Sequence, residues 1–246
     1  MVQRAAPERP SPLAAQELRA GYGRIEVLHG IDLELRRAEV TALLGPNGAG
    51  KTTTLAALSG LIRPWGGCRH VDGHHLNDAD AEDLARIGIA HVREGRSVFP
   101  NLSVADNLLI SAATGTSAAR IFEVAYGLFP RLADRNKQLA GTLSGGEKQM
   151  LALARGLGTD PSVLLVDELS MGLAPMVVDA LYEAVAGVAA SGVSVLVVEQ
   201  FATIGLRYAT QVYVMAHGTV TYRGPSSGAD AAVNAAYLGA GEVAAS

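Results

Sequence analysis

The sequence predicts an α/β fold built on a parallel central sheet, and three observations predict it. Between Val40 and Leu61 the chain reads as strand, glycine-rich loop and helix. Val163–Val166 and Val193–Val198 are continuous apolar runs, the texture of parallel strands buried on both faces. From Glu94 to about Arg155 helix signals replace strand signals, which marks a mostly helical insert.

Length and composition fit that class. The 246 residues are 49% hydrophobic and 18% charged, enough for one large α/β domain with an inserted subdomain and too apolar for global disorder. A net charge of −4 gives no general attraction to nucleic acid or anionic lipid. Cys68 is the single cysteine, so an internal disulfide is excluded, as suits a reducing cytosol. Met1–Pro12 has three prolines and two arginines but no apolar core, and reads as a flexible tail rather than a signal peptide. The organisation expected is a tail over 1–13, one folded α/β domain over 14–240 with its insert at about 95–155, and a short tail over 241–246. The uncharged run Ala184–Val198 is broken by Ser191-Gly192, so it reads as a helix end plus a strand and not as a membrane span. Any membrane role must then run through a partner.

Taken in order, Glu17–Ala20 reads as a first strand followed by a Gly21-Tyr22-Gly23 loop. Ile31, Leu33 and Leu35 alternate with Asp32, Glu34 and Arg36, as in a half-exposed strand. Arg37-Ala38-Glu39 turns the chain into the buried strand Val40–Leu44, and Thr53–Leu61 carries Leu55, Leu58 and Leu61 on one helix side. Gly66-Gly67, a strand Cys68–Val71 and an Asp72-Gly73 turn come next, then a strand over Ile87–Val92. Within the insert Ser103 can cap a helix through Ile110, and Ile121–Phe129 suggests another. Gln211–Met215 completes the strands.

The central motif is Gly45-Pro46-Asn47-Gly48-Ala49-Gly50-Lys51-Thr52, which fits G-x-x-x-x-G-K-[ST]. Glycines let backbone N–H groups curl around a polyphosphate. Lys51 brings a point charge to the outer phosphates, Thr52 offers a hydroxyl to Mg²⁺, and the helix that starts near Lys51, with Thr53 in its first turn, aims its positive end at the anion. A second site stands at the end of the Val163–Val166 run. Ligands of parallel sheets gather outside the carboxyl ends of strands, where Asp167 would hold Mg²⁺ and Glu168 would orient and partly deprotonate an attacking water. A third, Leu143-Ser144-Gly145-Gly146-Glu147, precedes a helix over Lys148–Leu157. Ser144 and Glu147 form a capping box, and bare glycine N–H groups with a Ser hydroxyl at a helix start also make a phosphate cradle.

These three motifs together resemble an ATP-binding subunit of an ABC transporter, over about Leu18–Gly239. The resemblance implies a P-loop NTPase (RecA-like) core with a parallel central sheet, an N-terminal antiparallel β portion and an inserted helical subdomain. It also implies ATP sandwiched between the P-loop of one subunit and the LSGGE segment of a second, hence a dimer, and Tyr22 stacked on adenine. Glu94-Gly95-Arg96, Phe129-Pro130-Arg131-Leu132, Gly172-Leu173-Ala174-Pro175, Val198-Glu199-Gln200 and Ala236-Tyr237-Leu238-Gly239 resemble the second ATPase of importers for branched-chain amino acids. By that resemblance the partners are membrane-spanning permease subunits and, indirectly, a solute-binding protein, with no nucleic acid, at the cytoplasmic face of the membrane.

At some positions the chain departs from the wider family. Glu94 stands where Gln usually senses Mg²⁺, Gln200 where a switch His is usual, and Ala174 where Asp is usual; the branched-chain type shares all three. Gln200 can donate an amide hydrogen bond to a γ-phosphate but cannot carry its proton. Leu169 and Arg93 replace common prolines and Ala38 a usual glycine, and Leu169 removes a φ constraint beside Glu168. A nucleotide-sensing regulatory subunit with little hydrolysis, and an importer ATPase for urea or amides, remain alternatives. A DNA-repair or translation ATPase lacks its second cassette or long coiled coil here, and Asn136-Lys137-Gln138-Leu139 lacks the Asp that reads guanine.

Overall fold

The computed structural model describes residues 10–95 and 98–242. Residues 1–9 of the tail expected over 1–13, Arg96 and Ser97, and the last four residues lie outside it. The strands are β1 (Ala14–Tyr22), β2 (Ile25–Glu34), β3 (Val40–Leu44), β4 (Gly66–Val71), β5 (His74–His75), β6 (Ile89–Val92), β7 (Val163–Asp167), β8 (Ser194–Glu199), β9 (Gln211–Ala216) and β10 (Thr219–Pro225). The helices are α1 (Lys51–Leu58), α2 (Ala81–Arg86), α3 (Val104–Leu109), α4 (Ala118–Leu128), α5 (Pro130–Asp134), α6 (Gly145–Leu157), α7 (Pro175–Ala190), α8 (Ala202–Tyr208) and α9 (Asp230–Glu242).

Two sheets form. The N-terminal one is antiparallel, in the order β2-β1-β4-β5, and the central one runs β10-β9-β3-β8-β7-β6. All pairs in the central sheet are parallel except β10 on β9. The unbroken apolar runs follow from burial on both faces. Leu164 and Val166 face one core with the helices of the insert, and Val163 and Leu165 face a second core with α1 and the antiparallel sheet. Helices α3 to α6 all lie between β6 and β7, which is the predicted insert.

Some boundaries differ from expectation, each for a physical reason. The first strand is longer and takes in Gly21 and Tyr22, because β1 pairs with β2 as far as Tyr22 opposite Ile25. Pro12 and Leu13, expected in the tail, are buried, and their carbonyls accept from the N–H groups of Asp72 and Leu35. At the other end α9 reaches Glu242, two residues into the expected C-terminal tail. Helix α1 stops at Leu58 rather than Leu61, since Gly60 turns to a left-handed φ of 76°. Among the described residues no helix is long and apolar enough to cross a membrane.

Candidate functional site

The phosphate loop spans the gap between β3 and α1. Gly48 and Gly50 hold φ of 79° and 104°, a region that glycine enters without Cβ strain. At Gly45 a Cβ would come within 2.4 Å of the Met215 carbonyl oxygen, so β9 packs against the loop too closely for any side chain. The same side of the loop is buttressed by the β9–β10 turn, where the Gly218 N–H donates to the Ala49 carbonyl at 3.0 Å. Pro46 and Asn47 form the outer part of the loop, and Thr53 is buried in the first turn of α1.

Lys51 is buried, and its ammonium donates to the carbonyls of Gly45 at 2.8 Å and Pro46 at 3.1 Å. Burial holds its pKa below the usual lysine range, against the pull of Glu168, Asp167 and Glu199. Asp167 closes β7 beside the loop, and the Thr52 hydroxyl donates to its Oδ1 at 3.5 Å. Burial first, with Glu168 and Glu94 adding repulsion, pushes the Asp167 carboxyl up to about 6 against the lowering effect of the Thr52 contact. Glu168 is raised for the same first reason and again by Glu94. Glu94 is exposed in the turn after β6, and its charge acts on both carboxylates. Two hard oxygen donors, Thr52 Oγ1 and Asp167 Oδ1, meet at one point, which fits a Mg²⁺ ion that keeps most of its shell as water and phosphate oxygens.

Glu168 has a left-handed φ of 46°, and its N–H donates to the Val198 carbonyl at 3.0 Å. The φ constraint missing at Leu169 is replaced by packing, since Leu169 is buried in the core. Ser170 then anchors the loop to a buried carboxylate that sequence reasoning did not single out as functional. Glu199 Oε2 accepts from the Ser170 hydroxyl at 2.7 Å, and Oε1 accepts from the Tyr182 hydroxyl at 2.6 Å and the Ser170 N–H at 3.2 Å. Burial raises the Glu199 pKa while these donors lower it.

Tyr237, on the last helix, is a second unforeseen member. Its hydroxyl accepts from the Gly45 N–H at 3.2 Å and donates to the Gln200 carbonyl at 2.6 Å. It thus ties the phosphate loop to the segment after β8. The sequence signal was the late Ala-Tyr-Leu-Gly stretch, which carries no hint of a contact 192 residues away.

Ser144, Gly145, Gly146 and Glu147 lie elsewhere, at the start of α6. The capping box is present: Glu147 N–H donates to Ser144 Oγ, and the Ser144 N–H donates back to Glu147 Oε2 at 3.0 Å. Arg135 Nε meets Glu147 Oε1 at 2.9 Å. These contacts, the Ser144 N–H above all, keep Glu147 below the usual carboxylate range. Oε2 serves the cap and Oε1 pairs with Arg135, so both oxygens have partners within this chain. Gly146 has a packing reason as well, since a Cβ there would meet Val177 Cγ1 of α7 at 2.7 Å. Tyr22 is exposed at the end of β1 beside the Gly23–Arg24 turn.

Comparison with known proteins agrees with this arrangement. A profile of the ABC transporter family matches residues 28–170. The chain is 38% identical over 222 residues to the high-affinity branched-chain amino acid transport ATP-binding protein BraG of Pseudomonas aeruginosa, covering 89% of this chain and 95% of the relative. It is 31% identical over 218 residues to a probable branched-chain amino acid transport ATP-binding protein LivF of Archaeoglobus fulgidus, covering 87% and 92%. In fold it matches the ADP conformation of an ATP-binding cassette of an ABC transporter, with a TM-score of 0.83, 23% identity, and coverage of 93% and 99%. Motifs, geometry and relatives converge: this chain belongs to the ABC transporter family, as one of its ATP-binding, ATP-hydrolysing subunits.

Proposed function

We propose that this chain powers an importer of branched-chain amino acids or a related small polar solute, working at the cytoplasmic face of the membrane through permease subunits fed by a solute-binding protein. The observation that carries the chemistry is the contact of Thr52 with Asp167, which joins the phosphate loop to the carboxylate strand. The P-loop amides from Gly45 to Thr52 and the Lys51 ammonium bind the phosphates of ATP. Thr52 and Asp167 would hold Mg²⁺, with Glu94 nearby, and the ion supplies charge neutralisation at the phosphates. Glu168, fixed on both sides by Val198 and Ser170, orients the attacking water and draws off its proton. Gln200 contributes an amide hydrogen bond to the terminal phosphate, and Tyr22 stacks on adenine. Ser144 and the glycine N–H groups of α6 bind the nucleotide of a second ABC ATPase subunit.

The solute assignment is supported by BraG and LivF, whose names specify branched-chain amino acids and which this chain matches over most of their length. A groove lined by Leu61, Phe99 and Ile110, with Arg93 and Arg155 among its polar residues, lies between α2, β6 and the helical insert and is the surface we assign to a helix end of the permease.

The test is Glu168→Gln in the chain assembled with its membrane partners. ATP hydrolysis falls by about 10²–10⁴-fold while ATP still binds. Unchanged turnover removes Glu168 from its role. Import assays with leucine and with urea in vesicles separate the two solute classes.

A further inference from the structure

The β4–β5 hairpin carries a group of metal-ligating side chains that the nucleotide site does not use. Cys68 and His70 sit two residues apart on β4, hence on the same face of the strand. His75 pairs directly with His70 across the ladder. The Asp72-Gly73 turn closes the hairpin in two residues, with φ of 48° and 82°, which pins the register. Buried Arg69, between the two ligand candidates, locks the hairpin to its surroundings by donating to the carbonyls of Ala57, Leu76 and Ala79. On this rigid frame Cys68 Sγ and one ring nitrogen each of His70 and His75 all lie within 4.8 Å of one another. The two imidazoles meet edge-on, with centroids 5.4 Å apart. A separate observation points to a ligand: Nδ1 of His70 is shielded from solvent and has no hydrogen-bond partner. A buried polar nitrogen left so costs about 1–3 kcal/mol, and coordination through it would remove that cost.

We propose that Cys68, His70 and His75 form a binding site for a divalent metal ion of the zinc class. One thiolate and two imidazoles make a donor set for a borderline-soft ion and a poor one for Mg²⁺ or Ca²⁺, which favour oxygen. Metal–ligand bonds of about 2.0–2.3 Å place tetrahedral ligands roughly 3.3–3.8 Å apart, so the cluster closes by about 1 Å on binding, through side-chain rotation at exposed His75. The fourth position is taken by water. Binding breaks the Cys68 S–H bond and forms an S–metal bond; the proton leaves to solvent and nothing is oxidised or reduced. The ion staples β5, a two-residue strand at the edge of the antiparallel sheet, to β4.

Cobalt(II) is the probe, titrated into the full chain with Mg²⁺ and ATP saturating. Because Cys68 is the single cysteine, a thiolate-to-cobalt charge-transfer band can arise nowhere else. The band saturates at one Co²⁺ per chain and is bleached by one equivalent of Zn²⁺. Cys68→Ser abolishes it. His75→Ala weakens Co²⁺ binding by about tenfold or more, and His70→Ala does the same. His74→Ala, its neighbour on the other face of β5, leaves the titration unchanged. ATP binding by each variant reports that it is folded, and His75, being exposed, carries the test if the His70 variant does not fold. No charge-transfer band from a folded chain overturns the site, as does a band indifferent to His75→Ala. Neither result bears on the ATPase reading.

Discussion

Replacing Tyr237 by Phe tests whether the last helix is part of the nucleotide machinery. The substitution keeps the ring and removes the hydroxyl that accepts from the Gly45 N–H and donates to the Gln200 carbonyl. Gly45 is buried, so its N–H loses its partner where water reaches poorly. An unmet buried donor costs about 1–3 kcal/mol, and the lost bond to Gln200 adds about 0.5–1.5 kcal/mol. Partial access of water to half-buried Tyr237 brings the expected loss to about 1–3 kcal/mol. In a chain of this size each kcal/mol lowers Tm by about 2–4 °C, so a fall of about 2–12 °C is expected by circular dichroism. Gly45 also opens the phosphate loop, and its unpinned amide weakens ATP binding by about three- to tenfold, read by a fluorescent ATP analogue. A Tm shift below about 1 °C together with unchanged ATP affinity refutes the reasoning.

Three other outcomes follow from the geometry. Asp167, raised to about 6 by burial, binds its proton more tightly folded than unfolded. Its contribution therefore stabilises the free chain as pH falls through 6 and is lost above it, whereas Mg²⁺ needs the carboxylate; Mg·ATP affinity should drop about tenfold from pH 7 to pH 5, measured by calorimetry. Gly146→Ala drives a Cβ to 2.7 Å from Val177 Cγ1, which costs about 1–3 kcal/mol in urea unfolding, and adding Val177→Ala recovers most of it. Ala38 stands at a left-handed φ of 58°, so Ala38→Gly raises stability by about 1 kcal/mol, and an unchanged or lower urea midpoint counts against strain there.

The parts legible in the sequence are those whose chemistry is local. The phosphate loop, the Asp167–Glu168 pair and the Ser144 cap each declare themselves within a few residues, and the strands β3, β7, β8 and β9 follow from unbroken apolar runs. Short α2 went unread although Asp80 and Asp83 form its capping box, because it buries only Leu84 and leaves almost no periodic signal. Strand β10 alternates exposed and half-buried residues at the sheet edge, so its run is not apolar enough to stand out. The anchoring of Glu199 by Tyr182 and the bridge of Tyr237 join residues from distant elements, and no local pattern encodes which tyrosine meets which loop. At Glu147 the capping box is legible because it is local, whereas its pairing with Arg135 joins two segments and is not.

The proposal that two chains share each nucleotide site draws support from the sheet order. The phosphate loop leaves β3, while α6 packs on β6, the far edge of the central sheet. Two strands, β8 and β7, stand between, so β3 and β6 are about 14 Å apart at the usual strand spacing. Lys51 starts the helix that follows β3, and Ser144 caps the helix that packs on the far edge strand. Met171 and Met176, in the segment that follows Glu168, and Phe201, beside Gln200, leave large apolar side chains exposed next to the catalytic loops. A second subunit laid over that face would cover them and bring its own Ser144 to the phosphates. Crosslinking cysteines placed at Ser144 of one copy and Asn47 of another tests this directly. A bond that forms only with Mg·ATP bound to a Glu168→Gln chain supports the shared site, and no intermolecular bond under those conditions sinks it.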